Sequence, residues 1–150
     1  MKSLLVLIAL ALLGVSDAFA QDYKIVTVVE SIVPMGIGRS RIIETKEDLN
    51  ADRFTTEREQ GNDSDQGKIS RKELKAMEFE ETKLLNFFSG VGINFRNIAS
   101  NDALIASKIN QLLSEGYTLQ FVTSGVESNA GSEDGQGIFI TRLFFYRDGQ

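Results

Sequence analysis

Two stretches of this chain are apolar on both faces of a strand, and that limits how it can fold. In residues 23–33 (YKIVTVVESIV), Ile25 and Val29 fall on one side and Val26, Val28 and Ile32 on the other. In residues 138–147 (IFITRLFFYR), Ile138, Ile140, Phe144 and Tyr146 share one side, with Phe139, Leu143 and Phe145 opposite. Both runs are rich in β-branched and aromatic residues, and Pro34, Gly36 and Gly137 bound them, which marks strands. A strand apolar on both faces belongs inside a sheet that is covered on both sides. One amphipathic helix is available as a cover. Over residues 101–115, Ile105, Ile109, Leu112 and Leu113 recur at i, i+4, i+7 and i+8. Ser100 or Asn101 can cap its start, Asp102 suits its positive end, and Gly116 stops it. One helix covers one face, so the second face needs either residues 84–98 folded over it or another subunit.

The remaining segments complete an α+β reading. After the turn at residues 33–38, residues 39–43 can return as a second strand, and residues 118–125 form a strand before the loop 126–137. Neighbours in sequence usually pair, so the last two strands should form a hairpin. Half of residues 44–83 are charged, against 25% for the whole chain, and QGNDSDQG lies among them. This composition predicts an extended, exposed and partly mobile excursion over about 44–83. Residues 84–98 concentrate Leu84, Leu85, Phe87, Phe88, Ile93, Phe95 and Ile98, broken by Gly90 and Gly92. They read as a hairpin, or a strand with a packing loop, that places Phe87, Phe88 and Phe95 against the sheet face opposite the helix. The expected fold is thus an antiparallel sheet with one main helix, about 101–115, packed on one face.

The N-terminus reads as an export signal. Lys2 precedes an unbroken apolar run at residues 4–13, and a smaller, more polar tail ends in Ala18-Phe19-Ala20. The run is half the roughly twenty residues that a membrane-spanning helix needs, and no later stretch is long or apolar enough to span a bilayer. Cleavage between Ala20 and Gln21 would leave residues 21–150 as one domain, periplasmic or extracellular. It removes one base (Lys2) and one acid (Asp17), so the charge stays at −5. An acidic domain without a basic stripe is a poor partner for nucleic acid.

The chain contains no His and no Cys. Thiol nucleophiles, histidine triads and nitrogen–sulfur metal sites are therefore excluded, and carboxylates, Lys, Ser and Tyr remain for any chemistry. Residues 62–73 (NDSDQGKISRKE) approach a calcium loop, with Gly67, Ile69 and Glu73 in place. The ligand positions, however, hold Asn62, Ser64 and Gln66, while Asp63 and Asp65 would point away, so a solvated turn is the expectation. Residues 36–41 (GIGRSR) lack the third glycine of a dinucleotide loop but can offer Arg39 and Arg41 to an anion. The loop 127–137 carries Glu127, Glu133 and Asp134 beside an Asp134-Gly135 turn, and Glu80-Glu81 is a bare carboxylate pair. None of these spacings assigns a catalytic residue, a metal ligand or a cofactor.

The segments FEETKLLNFFSGVGINF, NIASNDALIASKIN, EGYTLQFVTSGVES and GIFITR resemble a group of exported bacterial proteins of unknown function. Those are similar in turn to small bacterial strand-helix-strand-strand domains with a G-[WY]-x-L strand and a terminal strand ending in Arg. Here these features are Gly116-Tyr117-Thr118-Leu119 and Ile140-Thr141-Arg142. The resemblance implies the fold and carries over no functional residue. The function expected is a non-enzymatic envelope or secreted module, binding or structural, that self-associates or docks on a protein partner. The alternative is a small-ligand or ion-binding domain using loops 34–41 and 126–137.

Overall fold

The computed structural model describes residues 22–31, 39–62, 64–89, 91–127 and 137–149, without the side chains of Ser89 and Glu127. Five antiparallel strands form one sheet: β1 (Asp22–Ser31), β2 (Arg41–Thr45), β3 (Phe79–Lys83), β6 (Thr118–Glu127) and β7 (Ile138–Arg147). Their order is β3-β2-β1-β7-β6. A two-residue hairpin, β4 (Phe88–Ser89) with β5 (Gly92–Ile93), precedes the helix α1 (Phe95–Ser114). Strand β1 is central, as its sequence requires, and pairs along its whole length with β7, from Asp22 opposite Arg147 to Ser31 opposite Ile138. The α+β class and the helix on one face of an antiparallel sheet are as expected.

Registers place Val26, Val28, Ile42, Leu143 and Phe145 on the helix side of the sheet, where all are buried. Leu84, Leu112 and Tyr117 complete this core, and Ile105, Ile109 and Leu119 pack against its rim. The helix begins six residues before the expected start. Asn94 is its N-cap, accepting from the amides of Arg96 and Asn97. Asn101 lies inside the helix and is fully buried. Its amide group bonds the N–H and C=O of Leu85 (2.8 and 2.7 Å) and a carboxylate oxygen of Glu30 (3.1 Å). A residue that reads as a helix start therefore ties the helix to the segment before it. Ser100, the other expected cap, hydrogen-bonds back to the carbonyl of Arg96. The C-terminus follows the expectation. Gly116 adopts φ +88°, with Tyr117 N–H bonded to Leu112 C=O and Gly116 N–H to Leu113 C=O, the two-bond glycine cap. Leu113, expected on the buried stripe, is largely exposed.

Two further expectations are corrected. The excursion ends at residue 78, because residues 79–83 form the edge strand β3. This strand escapes the periodicity rule because four of its five residues are exposed, so it has no apolar alternation to display. The excursion's ends are clamped: the Lys46 amide bonds the Glu78 carbonyl, and the Glu47 carboxylate accepts from the amides of Met77 and Glu78, both at 2.8 Å. Between them lie two single 3₁₀ turns, Ala51–Phe54 and Asp65–Lys68. Residues 84–98 also do not cover the second face. Phe87 packs on Phe139, 5.8 Å between ring centroids, and Phe139 lies on the helix side. Phe95 is 76% exposed. The hairpin is short and leads straight into the helix cap, with Phe87 on the helix side, Phe95 in solvent and Phe88 half-buried. Among the described residues, strands β1 and β7 are therefore covered on one face, not two.

Replacing Phe145, fully buried, with Ala should cost about 3–5 kcal/mol in chemical denaturation, the usual penalty for emptying a core aromatic site. Phe95→Ala should stay within about 0.5 kcal/mol of the parent, as an exposed position does.

Candidate functional site

The uncovered face of the sheet is built row by row from the registers. One row runs Phe121–Phe144–Ile25, and Thr45–Phe79 continues it on β2 and β3. Tyr23 and Tyr146 pair beside it, ring centroids 5.2 Å apart, and Phe121 stacks on Phe144 at 4.2 Å and 14°. The next rows are Thr123–Arg142–Thr27–Ile43–Glu81 and Gly125–Ile140–Val29–Arg41–Lys83. Tyr23, Ile25, Phe79 and Phe121 are exposed, and the other apolar residues of these rows are half-buried. At about 4.8 Å between strands and 3.3 Å per residue, the three ten-residue strands span roughly 450 Å² of face, crossed by the polar row Thr123–Arg142–Thr27. Apolar patches of a few hundred Å² are the largest that a monomer usually exposes and are often functional. A β-bulge at Gln120 in β6 turns Phe121 onto this face, where strict alternation from Leu119 would have put Gln120.

The opposite side of the sheet carries the strongest charges. Glu44, 2% exposed, receives Lys108 at 2.7 Å, Lys24 at 3.0 Å and Lys46 at 3.6 Å. Glu80 takes Lys46 at 3.1 Å and Lys108 at 3.7 Å, and Glu115 lies 3.9 Å from Lys24. Burial works to raise the Glu44 carboxyl, but the hydrogen bonds from Lys108 and Lys24 outweigh it and hold the group below the usual carboxylate range. At the lower end of the sheet, the Tyr117 hydroxyl donates to Asp22 at 2.5 Å and Arg147 joins the same oxygen at 2.7 Å. These bonds, Tyr117's first, lower the Asp22 carboxyl, while burial and then Asp22 raise the Tyr117 hydroxyl. Lys24 and Arg147 also lie over the Tyr117 ring, at 4.9 and 4.3 Å. Glu44 and Lys108 join β2 to the helix, and Asp22, Tyr117 and Arg147 tie the start of β1 to the end of β7.

Two clefts open on the surface. One, of about 280 Å³, is lined by Asp22, Lys24, Lys46, Glu47, Asp48 and Tyr117 among others, and borders that network. The other, of about 300 Å³, is lined by Ser40, Arg41, Glu81 and Lys83. Of the proposed anion ligands, Arg39 is exposed and Arg41 is ion-paired with Glu81. Residues 32–38 and 128–136, which hold most of both ligand-binding loops, lie outside the described residues, as do Ala20, Gln21 and the whole signal segment. In the calcium-like stretch, Asp65 pairs with Lys68 at 2.9 Å in an exposed 3₁₀ turn, and no helix of the calcium-loop kind flanks it among the described residues. No helix among the described residues is long and apolar enough to cross a membrane. No family model, curated protein or solved structure matches the chain.

The charged cluster gives the sheet–helix contact an acid limit. A carboxyl lowered in the fold contributes stability above its unfolded value, near 4.3 for Glu, and that contribution is lost as pH falls through the folded value. Unfolding free energy should hold between about pH 7 and 5 and decline below about 4.5. Glu44→Gln should flatten that decline. Lys108→Ala, which strands Glu44 without its shortest partner, should cost about 3 kcal/mol at pH 7.

Proposed function

We propose that this chain is an exported, non-enzymatic binding module that self-associates through the apolar surface its helix leaves open, on the face and along the edge of the sheet where Phe121 lies. The uncovered aromatic face carries the reading: Tyr23 and Ile25 on the central strand β1 and Phe121 on the edge strand β6 are exposed to water, at the cost of the apolar area left unburied. A folded domain keeps such a face when another surface covers it. The charged groups support the non-enzymatic part, since they are spent on one another between helix and sheet. Export rests on residues 1–20 and on the resemblance to exported proteins, and places the module in the periplasm or outside the cell.

Sedimentation of residues 21–150 from micromolar to near-millimolar concentration tests this. The sedimentation coefficient should rise with concentration, and Phe121→Asp, which puts a charge on the open face at an exposed position, should hold the chain monomeric with its thermal unfolding within a few degrees of the parent. A monomer across the whole range would overturn the reading. Protein expressed with its leader in a bacterial host should have the intact mass of a chain that starts at Gln21; Met1 retained on membrane-bound material would overturn export.

A further inference from the structure

The two edges of the sheet are unlike. Strand β3 is five residues long and reads FEETK, with Glu80 and Glu81 engaged by Lys46 and Arg41, the short charged form by which proteins protect an edge. Strand β6 is ten residues long, and residues 118–126 (TLQFVTSGV) hold no charge. It is open on both faces as well as along its edge. Phe121 is 54% exposed on one face, and Val122 (50%) and Val126 (56%) on the other, beyond the reach of the helix. Its one protective device, the bulge at Gln120, lies at the start and leaves residues 121–127 as a regular edge.

We infer that β6 is a strand-addition site whose occupant is β6 of a second copy, antiparallel about a twofold axis normal to the sheet at Ser124. This rests on the self-association reading and specifies its geometry. The twofold sets Val122 of each copy against Val126 of the other, two apolar cross-strand pairs on the helix side, of the kind that stabilises neighbouring strands. Phe121 then lies at the seam of a ten-stranded sheet. Glu127, the charged residue at the end of β6, falls opposite Phe121 and not opposite its own twin, so like charges do not meet across the seam. Residues 44–83 hold twelve acids and eight bases, a net −4 of the chain's −5. That segment runs from the end of β2 through the excursion to the end of β3, three to four strand spacings or about 14–19 Å from β6. This is about two Debye lengths at physiological salt, so its charge is screened from a copy docked at β6. Face-to-face stacking would instead bury the exposed Arg142 at the middle of the open face, and edge pairing leaves it in water.

The lack of cysteine makes the geometry directly testable in the otherwise intact chain 21–150. Ser124→Cys places one thiol beside its twin on the axis, within the Cβ separation of about 4 Å that a disulfide needs. Under mild oxidation it should become a covalent dimer on non-reducing gels. Val122→Cys and Val126→Cys should cross-link when mixed and each remain largely uncross-linked alone. Circular dichroism of each reduced variant verifies that it is folded. Cross-linking at Ile25→Cys with none at Ser124→Cys would overturn edge pairing in favour of stacked faces, with self-association intact. Cross-linking only in a mixture of Ser124→Cys and Glu81→Cys would mean head-to-tail β6–β3 filaments, and would overturn the twofold. A chain that sediments as a monomer and cross-links nowhere would overturn both the geometry and the reading it rests on.

Discussion

The contact between Glu44 and Lys108 sets the arrangement of this molecule. A carboxylate on β2 and an ammonium on α1, 2.7 Å apart and together almost out of water, must be paired or expelled. Lys24 from β1 and Lys46 just past β2 add to the same carboxylate, so two strands and the helix converge on one point. Apolar packing from Val26, Leu112, Leu143 and Phe145 is the larger source of stability, but it is non-directional. The ion pair fixes where along the sheet the helix lies. Asn101, seven residues earlier on the same helix, fixes the other end through Leu85 and Glu30. Ile105, between these two polar anchors, and Ile109, just past Lys108, pack on the rim of the core and have little room to slide.

The buried polar anchors lie on the helix side; on the other, Arg41 pairs with Glu81 half-exposed at the β2–β3 end. Across β1, β6 and β7 that side is mainly aromatic and aliphatic, with Thr27 and Thr123 flanking Arg142. The segment that could have folded over them, residues 84–98, is held back by bonds of its own. Leu84 N–H is bonded to Ser40 C=O, Asn97 to the carbonyl of Asn86, and Asn94 N–H to Phe87 C=O at 2.7 Å. Each of these keeps the short hairpin β4–β5 near the N-terminus of α1. The open face is thus a consequence of local hydrogen bonding before the helix, and it persists whatever the apolar content of Phe87, Phe88 and Phe95.

Sequence alone discloses those parts of the fold that obey a strong period. Strand β7 was bounded correctly and its two faces sorted correctly, because ten residues alternate without a break. The helix end was legible too, since only glycine readily takes the left-handed position that Gly116 occupies. The helix start was not. Asn101 has the chemistry of a cap, and nothing in the letters distinguishes an amide that caps an N-terminus from one buried against a neighbouring backbone. Strand β3 was hidden for the reason that makes it a good edge, its polarity on both sides. The Glu44–Lys108 contact joins residues 64 apart, and Lys108 sits within the apolar stripe, between Ile105 and Leu112, where a lone Lys reads as an interruption. A lysine at i+3 from one core residue and i−4 from another is, in retrospect, the one local hint that the helix's inner face holds a charge. The loops 34–41 and 126–137 remain the expectation of sequence alone.

The same asymmetry runs through faces, edges and charge. The helix side is sealed and the other side open; β3 is short and charged, β6 long and charged only at Glu127; residues 44–83, from β2 to β3, hold −4 of the chain's −5. A domain that only had to remain solitary would spread charge over both edges, because an uncharged, regular edge recruits other strands. Here most of the net charge lies at the β2–β3 end of the sheet, and the β6 end exposes Phe121, Val122 and Val126. Separation of this kind permits contact at one end while the other stays hydrated. It also restricts the contact: a twofold at β6 closes after two copies, whereas pairing of β6 with the β3 of another copy would leave a free edge at each step and grow without limit. The ion-paired glutamates of β3, Glu80 and Glu81, oppose that second mode, because a strand added there must lie against an edge carrying charged side chains. What protects one edge of the sheet thus also sets the size of the assembly that the other edge can form.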